Sequence, residues 1–363
     1  WLTDNYGWPW IFYINIPLGA LAAVMITAYV HDRPNQIRPK SIDYIGIALL
    51  IMAVGSIQYL LEHGQRDDWF DSPFITTLAV TGVVGGILLM WREMTTDDPV
   101  IDFRVLRHRQ MWVGTLLGIV MGVGLFASVF TLPVFLQNNL HMTAQQTGIV
   151  LLPGALATAV SMAVVGRLTT RVDARLLIAS GALLFAMAMW QLSRITGESG
   201  TTDFFWPLIW RGIGLGAMFV PLTTVTLAEL SLDELPQGTG LYNFFRQLGG
   251  SFGIAGIATL LAHYTASFRS ILGEHLTRGD PAVMGRVQMM TRAMMAKGAD
   301  AATARGQALA ILDRQVLGQA SVIAYGRIYV LSAILVLAIV PLLVLVRKTA
   351  RSGGGDAGHM IME

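Results

Sequence analysis

Three arginines, Arg211, Arg246 and Arg327, stand within or at the edge of long apolar runs in this sequence. A charge in such a run costs at least a few kcal/mol, so each is a functional candidate. Arg246 lies a turn or so inside the run 241–262, and Asn243 precedes it by three residues, so the two share a helix face. That pair suits a polar wall of a central cavity or a gate partner for a loop acid. The plainer alternative is an arginine that snorkels to headgroups or caps a loop. Arg211 stands about six residues into the run 205–227, roughly 9 Å along a helix. There a cavity role competes with snorkelling. Arg327 marks the edge of the last run. Gln137, with Asn138 and Asn139, closes the run 111–137, where it lines an outer mouth or caps an interface.

Asn15 and Gln58 sit inside other runs and are read as helix–helix hydrogen-bonding groups. Thr223 and Thr224 follow Pro221 and can satisfy backbone that the proline frees. Proton coupling needs a titratable group reachable from both sides, yet none of the 23 acids lies near the centre of a run. Asp43, Glu62 and Glu229 sit at ends, and His63 and His263 at borders. There is no nucleophile–base arrangement, zinc spacing or P-loop, so no enzyme activity, catalytic residue, metal site or cofactor is expected. Without an ATP site, any pumping draws on an ion gradient. Met284, Met289, Met290, Met294 and Met295 cluster in one segment. Soft-metal capture, a docking face for a periplasmic adaptor and ordinary amphipathic packing are the three readings.

These residues must be positioned by membrane helices. Of 363 residues, 54% are hydrophobic and 13% charged, against about 25% charged in a soluble domain. That excludes a soluble globule and a disordered chain. The absence of Cys excludes a disulfide scaffold. A net charge of +2 from scattered basic residues gives no nucleic-acid footprint. The expected partner is therefore the lipid bilayer. Nine stretches reach the length of a membrane helix: 10–30, 43–61, 73–91, 111–137, 148–165, 176–194, 205–227, 241–262 and 320–346. They are too long, and alternate too little, for barrel strands.

Basic residues mark one side. Arg33, Arg38 and Lys40 lie in 31–42, four arginines in 92–110, three in 166–175, and Arg347, Lys348 and Arg351 in the tail. Loop 228–240 breaks the pattern with Glu229, Asp233 and Glu234. The expected topology puts the N-terminus outside, the C-terminus inside, and 263–319 outside as a long loop with one or two amphipathic helices. Gly114, Gly118 and Gly122 recur every fourth residue, Gly249 and Gly253 repeat that spacing, and Gly212, Gly214 and Gly216 crowd another run. Such stripes let helices approach closely or slide.

The string Gly7-Trp8-Pro9-Trp10-Ile11-Phe12-Tyr13-Ile14-Asn15-Ile16-Pro17-Leu18-Gly19 resembles a signature of the major facilitator superfamily, in particular of its 14-span drug:proton antiporters of the EmrB/QacA type. Asp98–Phe103, Leu151–Gly154, Phe219–Thr224 and Asn243–Ser251 match further strings in the same order. A loop motif of that superfamily is matched by Gly166, Leu168, Arg171 and Arg175, with Thr170 and Asp173 as departures. The resemblance implies an all-α major facilitator fold, truncated. Residues 1–30 would end the N-terminal bundle, 31–110 carry two linker helices, 111–346 form the C-terminal six-helix bundle, and 347–363 a cytoplasmic tail. Five leading helices, with the acids that serve the proton in that family, would precede Trp1. The implied function is multidrug efflux by proton antiport across a bacterial inner membrane, with little coupled transport by this chain alone. Contacts to an amphipathic small-molecule substrate would fall to Gln137, Arg211, Asn243 and Arg246. Export of a metabolite, peptide or siderophore, and a non-transporting interaction protein acting through 263–319, are the alternatives.

Overall fold

The computed structural model describes residues 1–29, 43–96, 99–274, 276 and 281–346, and all regular structure among them is helical. The basic residues of 31–42, Asp98 and the tail 347–363 lie outside the described residues. Short helices α1 (Leu2–Tyr6) and α2 (Trp10–Tyr13) lead into α3 (Asn15–Tyr29). A hairpin follows, of α4 (Tyr44–His63) and α5 (Pro73–Thr95). The main bundle comprises α6 (Arg109–Asn138), α7 (Ala144–Leu168), α8 (Ala174–Leu192), α9 (Thr201–Leu227), α10 (Leu235–Glu274) and α12 (Ala301–Leu337). Helix α11 (Pro281–Ala296) packs on α12, which continues through the single turn α13 (Ile339–Leu342).

Eight helical segments among the described residues are long and apolar enough to cross a membrane. The ninth predicted stretch, 241–262, lies inside the 40-residue α10 and is not one of them. Asn243, Arg246, Gln247 and four glycines dilute its apolar content. The expected long loop 263–319 is corrected. Helix α10 runs unbroken past residue 263 to Glu274, and α12 begins at Ala301, so most of the segment extends two bundle helices. Only α11 is a separate helix there. Apolar length reports where a membrane ends, not where helix-forming Ala, Leu and Arg stop.

The first element carries the signature string. Gly7 bends the chain at φ +87°, a conformation that suits glycine, and Pro9 then precedes α2. Asp4 of α1 accepts from the Gln145 amide at 2.9 Å, which ties this end to the start of α7. No residue of α1, α2 or α3 is buried. Asn15 does not bridge helices as expected; its amide donates to the Ile11 carbonyl in its own turn.

In the bundle, α6 backs onto α10, and α9 packs between α7 and α8. Leu117, Phe135, Ile178, Phe185, Phe204, Leu208, Tyr325 and Tyr329 fill one core. The glycine stripes serve close packing. A Cβ on Gly249 would lie 2.6 Å from the Ile119 carbonyl oxygen, and one on Gly253 2.8 Å from the Val123 backbone. Gly214 faces α8 at the Gly181 carbonyl, while Gly212 and Gly216 face α7. Alternate faces of one short stretch therefore seat two neighbours.

The acids of loop 228–240 have structural tasks. Glu229 accepts from the Gln110 amide at 3.1 Å at the start of α6. Glu234 pairs with Arg107 at 2.9 Å and His108 at 3.3 Å, and accepts from Ser231. These bonds hold the Glu234 carboxyl down to about 2, the Ser231 amide and hydroxyl first and His108 next. An acidic loop beside basic residues of 92–110 thus fastens α6 to the α9–α10 connection.

Candidate functional site

The polar residues predicted for the site fall into three separate places. The first is on α10. Arg246 donates to Asn243 Oδ1 at 2.9 Å, as one helix turn allows. Its guanidinium lies 4.5 Å from the centre of the Phe219 ring on α9 and 5.9 Å from that of Tyr242. An arginine over aromatic faces keeps its charge with little hydration. Arg246 is half-buried, while Asn243 and Gln247 are exposed on the same side. This is a polar patch whose cation is fixed by an amide and an aromatic ring. It presents hydrogen-bond donors and a positive charge to whatever approaches that face.

Arg211 is elsewhere. Helix α9 begins at Thr201, so Arg211 is ten residues inside it, about 15 Å along the axis. Its side chain points into the bundle and is only 8% exposed. It donates to Ser128 on α6, at 3.1 Å to the hydroxyl and 3.4 Å to the carbonyl. Tyr329 of α12 is near enough to interact with it electrostatically. The snorkelling alternative is overturned, because the helix starts earlier than the apolar run and the guanidinium turns inward. Gln137 lies exposed at the far end of α6, apart from both arginines. Its neighbour Asn139 instead clasps Ser321 of α12 at 3.1 Å. Arg327 is exposed on α12.

Gln58 links elements as expected: it accepts from Ser251 of α10 at 2.7 Å and donates to Glu62 at 2.7 Å. The linker hairpin is thereby joined to α10 one turn above Arg246. Thr223 and Thr224 bond the Phe219 and Val220 carbonyls, their own i−4 positions, rather than the carbonyl of Ala217 that Pro221 leaves free. In the methionine segment, Met284, Met290 and Met294 are half-buried and Met289 and Met295 exposed.

Comparison with known proteins decides the family. The profile described as Major Facilitator Superfamily matches residues 1–254. The chain belongs to the major facilitator superfamily. It is 28% identical to the "Fatty acid resistance protein FarB" of Neisseria gonorrhoeae, over 99% of this chain and 69% of that protein. It is 29% identical to the "Multidrug export protein EmrB" of Haemophilus influenzae, over 92% and 64%. It is 28% identical to the Escherichia coli protein of the same name, over 99% and 69%. The chain thus spans about two thirds of the length of these relatives. They bear out the EmrB-type resemblance of the sequence strings. With its apolar helices, this major facilitator chain is a multi-pass protein of the bacterial inner membrane.

Sequence reasoning missed the partners of the two arginines. Ser128 and Tyr329 are unremarkable in their runs, and only the helix arrangement brings them to Arg211. Phe219 had a visible signal, since it opens the string Phe219–Thr224 beside the cavity arginine's helix. Glu93, buried at the end of α5, was passed over because it lies outside the apolar run.

Proposed function

We propose that this chain contributes the C-terminal helices of a proton-driven exporter of amphipathic compounds. In this reading 241–262 counts as a ninth span, with the N-terminus outside and the C-terminus inside. The observation that carries the reading is the Asn243–Arg246 patch, a fixed cation on the exposed side of a glycine-packed helix pair. A substrate between two bundles near the midplane would meet that patch. The names of the relatives, multidrug export and fatty acid resistance, favour amphipathic cargo over a small polar metabolite. Gln137 would stand at the outer mouth. Arg211 would act from within the bundle, by fixing α6 against α9, rather than by touching cargo. No cofactor enters the scheme; the energy is the proton gradient. The protons are assigned to acids outside the described helices, and transport is proposed for the protein that contains these helices.

Proteoliposomes with an imposed pH gradient test this. Efflux of an amphipathic dye should follow the gradient and vanish when an ionophore collapses it. Dye movement indifferent to the gradient would refute antiport.

A second reading adds a partner. Met289 and Met295 are exposed on α11, which packs on α12; in this reading α11 and the extensions of α10 and α12 stand outside the membrane as a platform. An adaptor with an apolar helix would seat there. Deleting 281–296 should then abolish complex formation and leave flux intact; retained complex would remove this reading.

A further inference from the structure

The linker hairpin ends in an unusual carboxyl. Glu93 lies on the last turns of α5 and is 3% exposed. One oxygen, Oε2, accepts from the Ile101 amide at 3.1 Å. The other, Oε1, is buried and has no hydrogen-bond partner. Among the described residues, the charged groups facing it are Arg92 on its own helix and Asp43 at the N-cap of α4. Arg92 is committed to Asp43, with Nε and Nη2 each 3.1 Å from a carboxylate oxygen. Asp43 also accepts from the Gly46 amide at 3.0 Å. Glu93 thus faces a second acid, and the nearby cation, though close enough to attract it, bonds that acid instead. The Val100 amide also bears on this carboxyl, but a buried carboxylate held only by backbone amides and with one bare oxygen is costly, whereas the neutral acid leaves only a hydroxyl unpaired.

The segment it grips leads into the bundle. Ile101, Phe103, Val105 and Leu106 pack with Met111 at the foot of α6 and with Leu241 and Tyr242 at the foot of α10. Tyr242 is one of the rings under Arg246. A change at Glu93 therefore reaches the polar patch through one short hydrophobic wedge.

We propose that Glu93 is a proton-binding site that latches segment 99–107 to the linker hairpin: neutral while seated under Ile101, and unseated when ionised. The inference stands on this geometry and not on the transport reading. A seated acid that prefers its proton titrates above the ordinary carboxylate range. The latch is then fully engaged below that range and weakens as pH rises toward the seated acid's own titration. Over that window, opening grows about tenfold per pH unit for one proton.

Two measurements on the purified chain test it. Infrared spectra should show a neutral-carboxyl C=O band near neutral pH that Glu93→Gln lacks. Hydrogen exchange of peptides covering 99–106 should rise with pH in the wild type relative to Glu93→Gln at each pH, by about tenfold per unit across the window. Identical infrared spectra for the two proteins, or a constant exchange ratio, would overturn the proposal. Asp43→Asn supplies a route that leaves Glu93 in place. Freed from Asp43, Arg92 becomes available to Glu93, so the neutral band should disappear at neutral pH. Its persistence in Asp43→Asn would show that the Asp43–Arg92 pair does not keep Glu93 neutral and would equally overturn the account.

Discussion

Replacing Gly122 and Gly256 by alanine separates close packing from simple flexibility. Both glycines are helical, in α6 and α10. A Cβ on Gly122 would strike the Arg246 carbonyl oxygen and lie 3.2 Å from the Gly250 nitrogen. These are backbone atoms and cannot swing aside, so the two helices must part. A Cβ on Gly256 meets nothing within 4 Å. Alanine gains about 1 kcal/mol over glycine in a helix interior. Overpacking costs about 1–3 kcal/mol. The Gly256→Ala protein should therefore be stabilised by up to about 1 kcal/mol. Gly122→Ala should fall below it by about 1–3 kcal/mol. Thermal unfolding in detergent, followed by tryptophan fluorescence, reads the difference. Equal stabilisation by both substitutions would refute the argument that this stripe sets the α6–α10 distance. Gly122→Ala also moves the backbone that carries Arg246, so the polar patch should be disturbed in the same protein.

Three further predictions concern the charged residues. Arg211→Met should leave the fold intact, neutral or stabilised by up to about 4 kcal/mol, because an apolar chain of similar size replaces a buried charge; a large loss in the melting experiment would contradict this. Ser128→Ala leaves the charge but removes its hydroxyl acceptor and should cost about 1–3 kcal/mol, visible in the same assay. Glu234→Gln should destabilise at neutral pH. Since the native carboxyl is held down to about 2, by Ser231 first and His108 next, the advantage over Gln is present above the ordinary glutamate range and should shrink as pH falls from about 4 toward 2; a pH-independent difference would exclude the ionised Glu234 and its Ser231 and His108 bonds as its source.

Much of this architecture was legible from the residues. Runs of apolar length located α4 to α9, and the fourfold glycine spacing announced close helix packing, though not which helices meet. Gln58 read correctly as an interhelical group because a buried amide in lipid must find a partner. The ends were less legible. The extension of α10 to Glu274 and of α12 back to Ala301 carries no apolar signal, since those turns need only helix propensity. Arg211 was misjudged because depth was counted from the start of the apolar run and not from Thr201. The acids of 228–240 looked anomalous beside a basic pattern, yet they answer Arg107, His108 and the α6 amides across more than a hundred residues of chain. Linear charge rules cannot see such pairs. Glu93 escaped for the same reason: its burial comes from Ile101 folding back over the hairpin.

The central claim is that the Asn243–Arg246 face lines a substrate path. The chain has no Cys, so single cysteines report cleanly. Asn243→Cys in membranes should react with a hydrophilic thiol reagent, and an amphipathic anionic dye should slow that reaction. Leu183→Cys, on an apolar exposed position of α8, should stay unreactive. The anionic charge of the dye is matched to Arg246; an inert Asn243→Cys, or one that reacts equally with and without the dye, would contradict the account.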